Sequence, residues 1–152
     1  MLGILKGSIR HTDNDFLTIQ SLNNLMDTST TSCLFCDDIH KNIVLSIRAT
    51  ILQRVHVLYF NGIVITDDLM QAQDFINITN SHKRFLYLYH LDWSFIPNLQ
   101  FSHIRKILLH DHIELIARSD SHAKLIEQMF KPPKYVMPEW DYKTLIEIDN
   151  NE

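Results

Sequence analysis

The stretch IELIARSDSHAKLIEQMFKPPKYVM, residues 113–137, contains one complete strand–helix–strand unit. Its parts are, in order, an apolar strand at 113–118, a capping serine at position 119 or 121, a helix at 123–130, a proline pair at 132–133 and a second strand at 134–137. A right-handed crossover places two such strands parallel in one sheet, with the helix on its face. This unit predicts an α/β fold.

The same alternation of apolar runs and amphipathic stretches continues towards the N-terminus. Strands are predicted at 2–6, 33–36, 55–65 and 85–91, and helices at 13–26 and 67–80, whereas 42–53 fits neither period and 96–109 reads as a loop plus a short helix. We therefore predict a single Rossmann-like α/β domain over residues 1–148, followed by an acidic tail at 149–152. Its mainly parallel, twisted sheet would have six or seven strands, with helices on both faces.

Composition sets the class of protein. The chain has 152 residues, of which 45% are hydrophobic, and its net charge is −4, which argues against binding nucleic acid by bulk electrostatics. No apolar run approaches the length of a membrane span. Two cysteines cannot build a disulfide framework, so a reducing compartment is expected: the cytoplasm, or the host cytoplasm if the protein is viral.

Several familiar motifs are absent or incomplete. The chain has three glycines, and their positions match neither a glycine-rich dinucleotide-binding motif nor a P-loop. Cys33 and Cys36 lie inside an apolar run, which favours inert strand thiols over a redox or zinc pair. His110 and His112 flank a turn-like aspartate, so we predict no metal site and no cofactor. Gly7 leaves two interpretations open. It could contribute to a looser anion site, or it could serve a tight turn after the first strand.

Ligands in parallel α/β sheets bind at the carboxyl ends of the strands. The candidate ligand-binding residues, which lie in the later part of a predicted strand or follow one, are Gly7, Ser8, Asn61, His90, Trp93, Ser119 and Glu139. Asp92 follows the buried strand at 85–91 and is the candidate general base. The alternative is that Asp92 caps a turn, with Trp93 and Phe95 packing the loop.

The stretches VLYFN at 57–61 and FLYLYHLD at 85–92, followed by 113–126 and 134–140, carry a family resemblance. In this order they are similar to the N-terminal, acceptor-side domain of GT-B glycosyltransferases, and the order of elements is closest to the phage DNA β-glucosyltransferases. The resemblance implies that Asp92 acts as general base on the hydroxyl of the acceptor, since an aspartate at that strand end does so in the family.

The resemblance also implies half of an enzyme. GT-B enzymes bind the nucleotide sugar mainly through a second Rossmann-like domain, so we expect a second chain to supply it, or self-association. The apolar side chains Trp93, Phe95, Ile96 and Trp140 are expected to line the open face. The acceptor would be DNA or a sugar, and no membrane partner is expected. Two alternatives remain: a non-catalytic binding or regulatory module, possibly virus-encoded, acting through protein or DNA contacts, and an unrelated small α/β enzyme.

Overall fold

A computed structural model describes residues 1–41, 43, 45–77, 83–91 and 100–152. The strands within these ranges are β1 (Leu2–Leu5), β2 (Ser8–Ile9), β3 (Ser32–Phe35), β4 (Asp38–Ile39), β5 (Thr50–Leu52), β6 (Ile63–Thr66), β7 (Arg84–Leu88), β8 (Glu114–Ala117) and β9 (Tyr135–Val136). The α-helices there are α1 (Asp13–Leu25), α2 (Leu69–Asn77), α3 (Phe101–Leu108), α4 (Asp120–Met129) and α5 (Tyr142–Asn151), and Arg54–Tyr59 and Pro138–Trp140 form 3₁₀ helices.

Within the described ranges, the main sheet is all parallel, with the seven-strand order β5-β3-β1-β6-β7-β8-β9. The chain first builds outward from β1 through β3 to β5. It then returns to place β6 on the other side of β1 and builds outward to β9. The order therefore reverses between β1 and β6, which is where ligands bind in folds of this type. The predicted Rossmann-like α/β class is confirmed.

The two faces of the sheet are buried under different helices. Helices α1 and α5 pack on one face, and α2, α3 and α4 pack on the other. Strand β1 supplies both layers because successive side chains point to opposite faces: Leu2 and Ile4 join the first layer, and Leu5 joins the second. The sheet is thus covered on both sides, as parallel sheets require.

The prediction of one strand across residues 55–65 is wrong. Val57 and Phe60, three residues apart, are buried, whereas Val55 is 54% exposed and Tyr59 is 82% exposed. A spacing of three residues matches the 3₁₀ helix Arg54–Tyr59, which packs one side on the core. A continuous apolar run can therefore be half solvent-exposed, and only its last residues enter β6.

Smaller differences affect three other segments. The segment between the strand predicted at 2–6 and the helix predicted at 13–26 contains β2, which pairs in parallel with β4, and the ambiguous stretch at 42–53 contains the edge strand β5. Helix α5 continues to Asn151, so it includes most of the residues predicted as a tail. In the part of the chain described, no helix combines the length and apolar character needed to cross a bilayer.

Candidate functional site at the switch point of the sheet

A crevice of about 540 Å³ lies at the carboxyl ends of β1, β6 and β7. It is lined by Lys6, Gly7, Ser8, Arg10, Thr12, Asn14, Asp15, Asp67, Asp68, Tyr89 and His90. Most of these side chains are polar or charged, and they come from segments that directly follow three strands or begin α1. The crevice coincides with the reversal in strand order between β1 and β6.

Lys6 forms the centre of a buried ionic cluster under this crevice. Its Nζ donates to Asp67 Oδ2 at 2.6 Å and to Asp15 Oδ1 at 3.0 Å, and the residue is 4% exposed. Burial alone would lower the pKa of Lys6, but Asp67 and then Asp15 outweigh it and raise the pKa above its usual value. Buried charges require such pairing, because each one loses its hydration.

Asp15 uses both of its carboxylate oxygens within the protein. Oδ1 accepts from Lys6, and Oδ2 accepts from the Arg10 backbone N–H at 3.0 Å and from the Thr12 hydroxyl at 2.8 Å. The Asp15 backbone N–H in turn donates to Thr12 Oγ1, which gives α1 a reciprocal cap. This carboxylate anchors α1 to the end of β1.

Asp67 is held by one oxygen only. Its Oδ2 accepts from Lys6 and from the Asn14 amide, whose own oxygen accepts from Trp140 Nε1 at 2.6 Å. No hydrogen bond from the described residues reaches Asp67 Oδ1. The side chain is 6% exposed. Asp67 therefore offers one oriented acceptor atom at the crevice while its other oxygen fixes the carboxylate in place.

Sequence analysis missed this role of Asp67, because the helix predicted at 67–80 places Asp67 at a helix start. The cap is Asp68, whose Oδ1 accepts from the Met70 backbone N–H at 2.8 Å. One feature of the sequence could have indicated this site: the charged residue Lys6 ends an apolar run that is predicted to be a buried strand. A buried lysine needs a carboxylate partner, and an aspartate that ends a neighbouring parallel strand is a natural one.

The structure separates the predicted ligand-binding residues into groups. Gly7, Ser8 and His90 line the crevice. Asn61 was predicted to lie in the later part of a strand, but it precedes β6 and lies at the opposite, amino edge, beside Gly62. That placement is wrong because the strand starts later than predicted. The candidate base Asp92 lies outside the described residues.

Trp93 also lies outside the described residues, as do Phe95 and Ile96. Trp140 was expected on an open apolar face, and this is wrong: it is 0% exposed. Its ring packs edge-on against Tyr87 with centroids 4.9 Å apart. The buried indole instead connects the site to the core, since its N–H holds Asn14.

Ser119 and Glu139 line a second cavity of about 790 Å³, between α1, the start of α4 and the Pro138–Trp140 turn. Arg118 lies between this cavity and the crevice. Its guanidinium pairs with Glu139 at 3.1 Å, and it stacks over the ring of Tyr89, a crevice residue, at 4.3 Å. The two cavities are therefore neighbours along the carboxyl edge of the sheet.

The cysteine and histidine pairs do not add to the site. Cys33 and Cys36 are buried free thiols, and burial raises the pKa of Cys33 to about 11. A protonated, enclosed thiol is a poor nucleophile, in agreement with the interpretation as inert strand residues. The rings of His110 and His112 lie 5.4 Å apart, but the described residues contain no group of three or more metal-ligating side chains.

Comparison with known proteins identifies no relative. Neither a protein-family model, nor a curated protein, nor a solved structure matches this chain. Function is therefore inferred from the chemistry of the crevice and from its position in the fold.

Proposed function

We propose that this protein is the acceptor-binding domain of a glycosyl-transfer system and that Asp67 receives the acceptor hydroxyl. The observation that carries the proposal is the half-engaged carboxylate of Asp67. Lys6 and Asn14 hold Oδ2 at the switch point of the sheet, and Oδ1 accepts no hydrogen bond from the described residues. A hydroxyl that donates to Oδ1 would be oriented by an immobile group, as a reacting alcohol needs to be.

The chemistry of transfer fits this arrangement. The acceptor oxygen attacks the anomeric carbon of an activated sugar, the bond from that carbon to the leaving-group oxygen breaks, and the hydroxyl proton passes to a carboxylate. Asp67 would accept that proton as general base. Asp92, the base implied by the family resemblance, remains a second proposal for the same step, because it follows the next strand of the sheet.

The charge of the crevice favours a neutral, hydroxyl-rich ligand over a phosphate. Among the described residues, its lining contains three carboxylates and two permanent cations, Lys6 and Arg10. Lys6 is already paired twice, and Arg10 Nε donates to Ser8 Oγ at 3.0 Å. Phosphate sites need free N–H donors and an excess of positive charge. The looser anion site considered at Gly7 is thus disfavoured, because Asp67 and Asp68 face the same space.

This charge balance also bears on partners. A nucleoside diphosphate sugar carries two phosphates, and carboxylates lining the crevice would repel them. We therefore propose that a second protein chain, or another copy of this one, contributes the site for the nucleotide sugar. Binding of the acceptor would occur in this domain, and turnover would require the assembled pair.

An NMR titration tests the proposal on the isolated chain. Neutral methyl glycosides should shift the backbone amide signals of Gly7, Ser8 and His90, whereas inorganic phosphate and a uridine diphosphate sugar should not bind there more tightly. The Asp67→Asn variant should bind glycosides at least about tenfold more weakly, since a charged hydrogen-bond acceptor is lost. Asp74→Asn removes the same charge from the exposed side of α2 and should bind normally.

Three outcomes would contradict the proposal. Phosphate could bind in the crevice more tightly than any glycoside, Asp67→Asn could retain full affinity, or no glycoside could shift the crevice signals. Glycoside binding without turnover, in the presence of every chain that co-purifies with the protein from its native source, would instead favour the non-catalytic binding module.

A further inference from the structure

The second cavity, lined by Ser119 and Glu139 among others, has features that the Asp67 crevice does not use. It lies beyond the ends of β8 and β9 and is larger than the crevice, at about 790 Å³ against 540 Å³. Volumes of this size accommodate one or two sugar rings or a similar small molecule. The cavity and the crevice are separated by one pair of hydrogen-bonded residues. Trp140 lines the cavity, and its N–H donates to Asn14, which lines the crevice.

One wall of this cavity is held in a costly backbone conformation. Glu139 (φ 48°) and Trp140 (φ 59°) are consecutive non-glycine residues in the left-handed region. A side chain in this region is strained against its own backbone, and such conformations concentrate at ligand sites. Trp140 anchors the turn: its ring is buried against Tyr87, its N–H binds Asn14, and its carbonyl accepts from Ser21. The anchored turn places Glu139 in the cavity lining.

The remaining lining combines hydroxyls, amides and a ring. The polar side chains are Gln20, Ser21, Asn24, Ser119, Ser121 and His122, and Tyr142 and Pro138 add apolar surface. Ser119 Oγ accepts from the backbone N–H of His122 at 3.2 Å and shares one hydrogen bond with Ser121 Oγ at 2.9 Å, so the remaining hydrogen-bonding capacity of the pair lies mainly at Ser121. Nδ1 of His122 is enclosed without a hydrogen-bond partner among the described residues, so this nitrogen is an unsatisfied polar atom in the cavity wall.

The charges again disfavour an anion. Among the described lining residues, Arg118 is the one permanent cation, and it pairs with Glu139 at 3.1 Å, while Asp141 adds a further carboxylate. Asp120 occupies the first turn of α4, next to the capping Ser119, which further opposes a phosphate at that helix end. Carboxylate, amide and hydroxyl groups beside an aromatic ring suit a neutral ligand that has many hydroxyls and one apolar face.

We propose that this cavity is a second carbohydrate-binding site, which takes a neutral sugar unit independently of the Asp67 crevice. Glu139 accepts hydrogen bonds from ligand hydroxyls, the Ser119–Ser121 pair binds further hydroxyls, and Tyr142 packs on the apolar face of the ring. The site does not depend on the proposed transfer reaction, since its residues and those of the crevice are different.

A titration of the full chain with neutral disaccharides, read by backbone amide NMR, tests this site. Maltose, lactose and cellobiose are suitable probes, with inorganic phosphate as the comparison. We expect at least one disaccharide to shift the amide signals of Ser119, Ser121, Asp141 and Tyr142. Glu139→Gln should weaken that binding about tenfold while leaving the shape of the turn unchanged. Glu147→Gln, on the exposed side of α5, is the matched control and should have no effect.

The two proposals fail separately because each has its own signals. If disaccharides shift only Gly7 and Ser8, the second site is overturned and the crevice proposal stands. If they shift only the cavity signals, the second site stands and the crevice proposal fails. Tighter binding of phosphate than of sugar in the cavity, unchanged affinity of Glu139→Gln, or no shift of the cavity signals with any disaccharide would each overturn the second site.

Discussion

Lys6 Nζ lies 2.6 Å from Asp67 Oδ2, across the point where the order of strands in the sheet reverses. Lys6 follows β1 and Asp67 follows β6, so one buried ion pair joins the ends of the two central strands. Both side chains are at least 94% buried, at 5% and 6% exposure. Whatever binds in the crevice therefore meets a carboxylate whose position the core determines.

Replacing Lys6 with methionine should strongly destabilise the fold. The substitution keeps the apolar stem but leaves Asp15 and Asp67 as buried carboxylates without their ammonium, a change that typically costs about 3–5 kcal/mol. Urea unfolding monitored by circular dichroism measures the loss. Lys106→Met, at an exposed position of α3, is the control and should change stability by less than about 0.5 kcal/mol. A Lys6→Met protein as stable as the parent would contradict the cluster.

The Lys6 pair should also produce a dependence of stability on alkaline pH. The folded-state pKa of Lys6 is raised above 10.5, so its contribution is complete below the unfolded-state value and is lost as pH rises through the folded value. The free energy of unfolding should fall above about pH 10.5, and fall less in the Lys6→Met variant. Equal slopes in the two proteins would exclude this linkage.

Glu152 should stabilise the fold in a window of acidic pH. Its side chain is 2% exposed and pairs with Lys83 and Lys134. Burial alone would raise the pKa of Glu152, but hydrogen bonds from these lysines and from Tyr135 hold it at about 2, below its usual 4.5. The contribution is therefore present above pH 4.5 and is lost as pH falls towards 2.

Glu152→Gln should consequently cost about 1 kcal/mol at pH 7, a discounted value because both lysines are partly exposed. Thermal unfolding at pH 7, 4 and 2.5 measures the difference, which should shrink with falling pH. Glu147→Gln, at an exposed position of α5, serves as the control, since Glu152 directly follows that helix. A difference between Glu152→Gln and the parent that is constant across this range would argue against the ion pairs.

Gly62 should tolerate no side chain, although it lies outside the strands, directly before β6. A Cβ there would lie 2.4 Å from the Met1 carbonyl oxygen and 2.9 Å from the Phe60 ring. Gly62→Ala must move backbone, and we expect a loss of about 1–3 kcal/mol. Gly7→Ala is the comparison, because its Cβ would meet side-chain atoms and no backbone: the Gln71 amide at 3.0 Å and Asp68 Oδ2 at 3.6 Å. Chemical denaturation of both variants should rank Gly62→Ala as clearly worse; the reverse ranking would refute this packing.

The two thiols should be unreactive in the folded protein. Cys33 is 7% exposed, and burial raises its pKa to about 11. Burial likewise raises the pKa of Cys36, whose Sγ donates to the Asp38 carbonyl at 3.0 Å. Reaction with a chromogenic disulfide reagent at pH 7 should be at least about 100-fold slower than in urea-unfolded protein, because the thiolate is the reacting form. Rapid native labelling of either thiol would restore the redox interpretation of the Cys33–Cys36 pair.

Elements with local signals were predictable from sequence. Two helix N-caps match a local sequence signal, a short polar side chain directly before an amphipathic run. They are Thr12 before α1 and Ser119 before α4. Strand β8, helix α4 and strand β9 follow the predicted order because a cap and two prolines mark the boundaries. The stretch at 55–65 failed because a continuous apolar run does not by itself distinguish a buried strand from a 3₁₀ helix that buries every third residue.

The sequence by itself determined the α/β class, the helix caps at Thr12 and Ser119 and the absence of a glycine-rich phosphate loop, since these depend on neighbours within a few residues. Tertiary structure alone decided the candidate site. Lys6 and Asp67 are 61 positions apart, and they meet because Leu5 pairs with Thr66 in the parallel register of β1 and β6. Trp140 reaches Asn14 across 126 positions. Such contacts follow from strand order and register, which arise from the packing of the whole core and leave no local pattern in the chain.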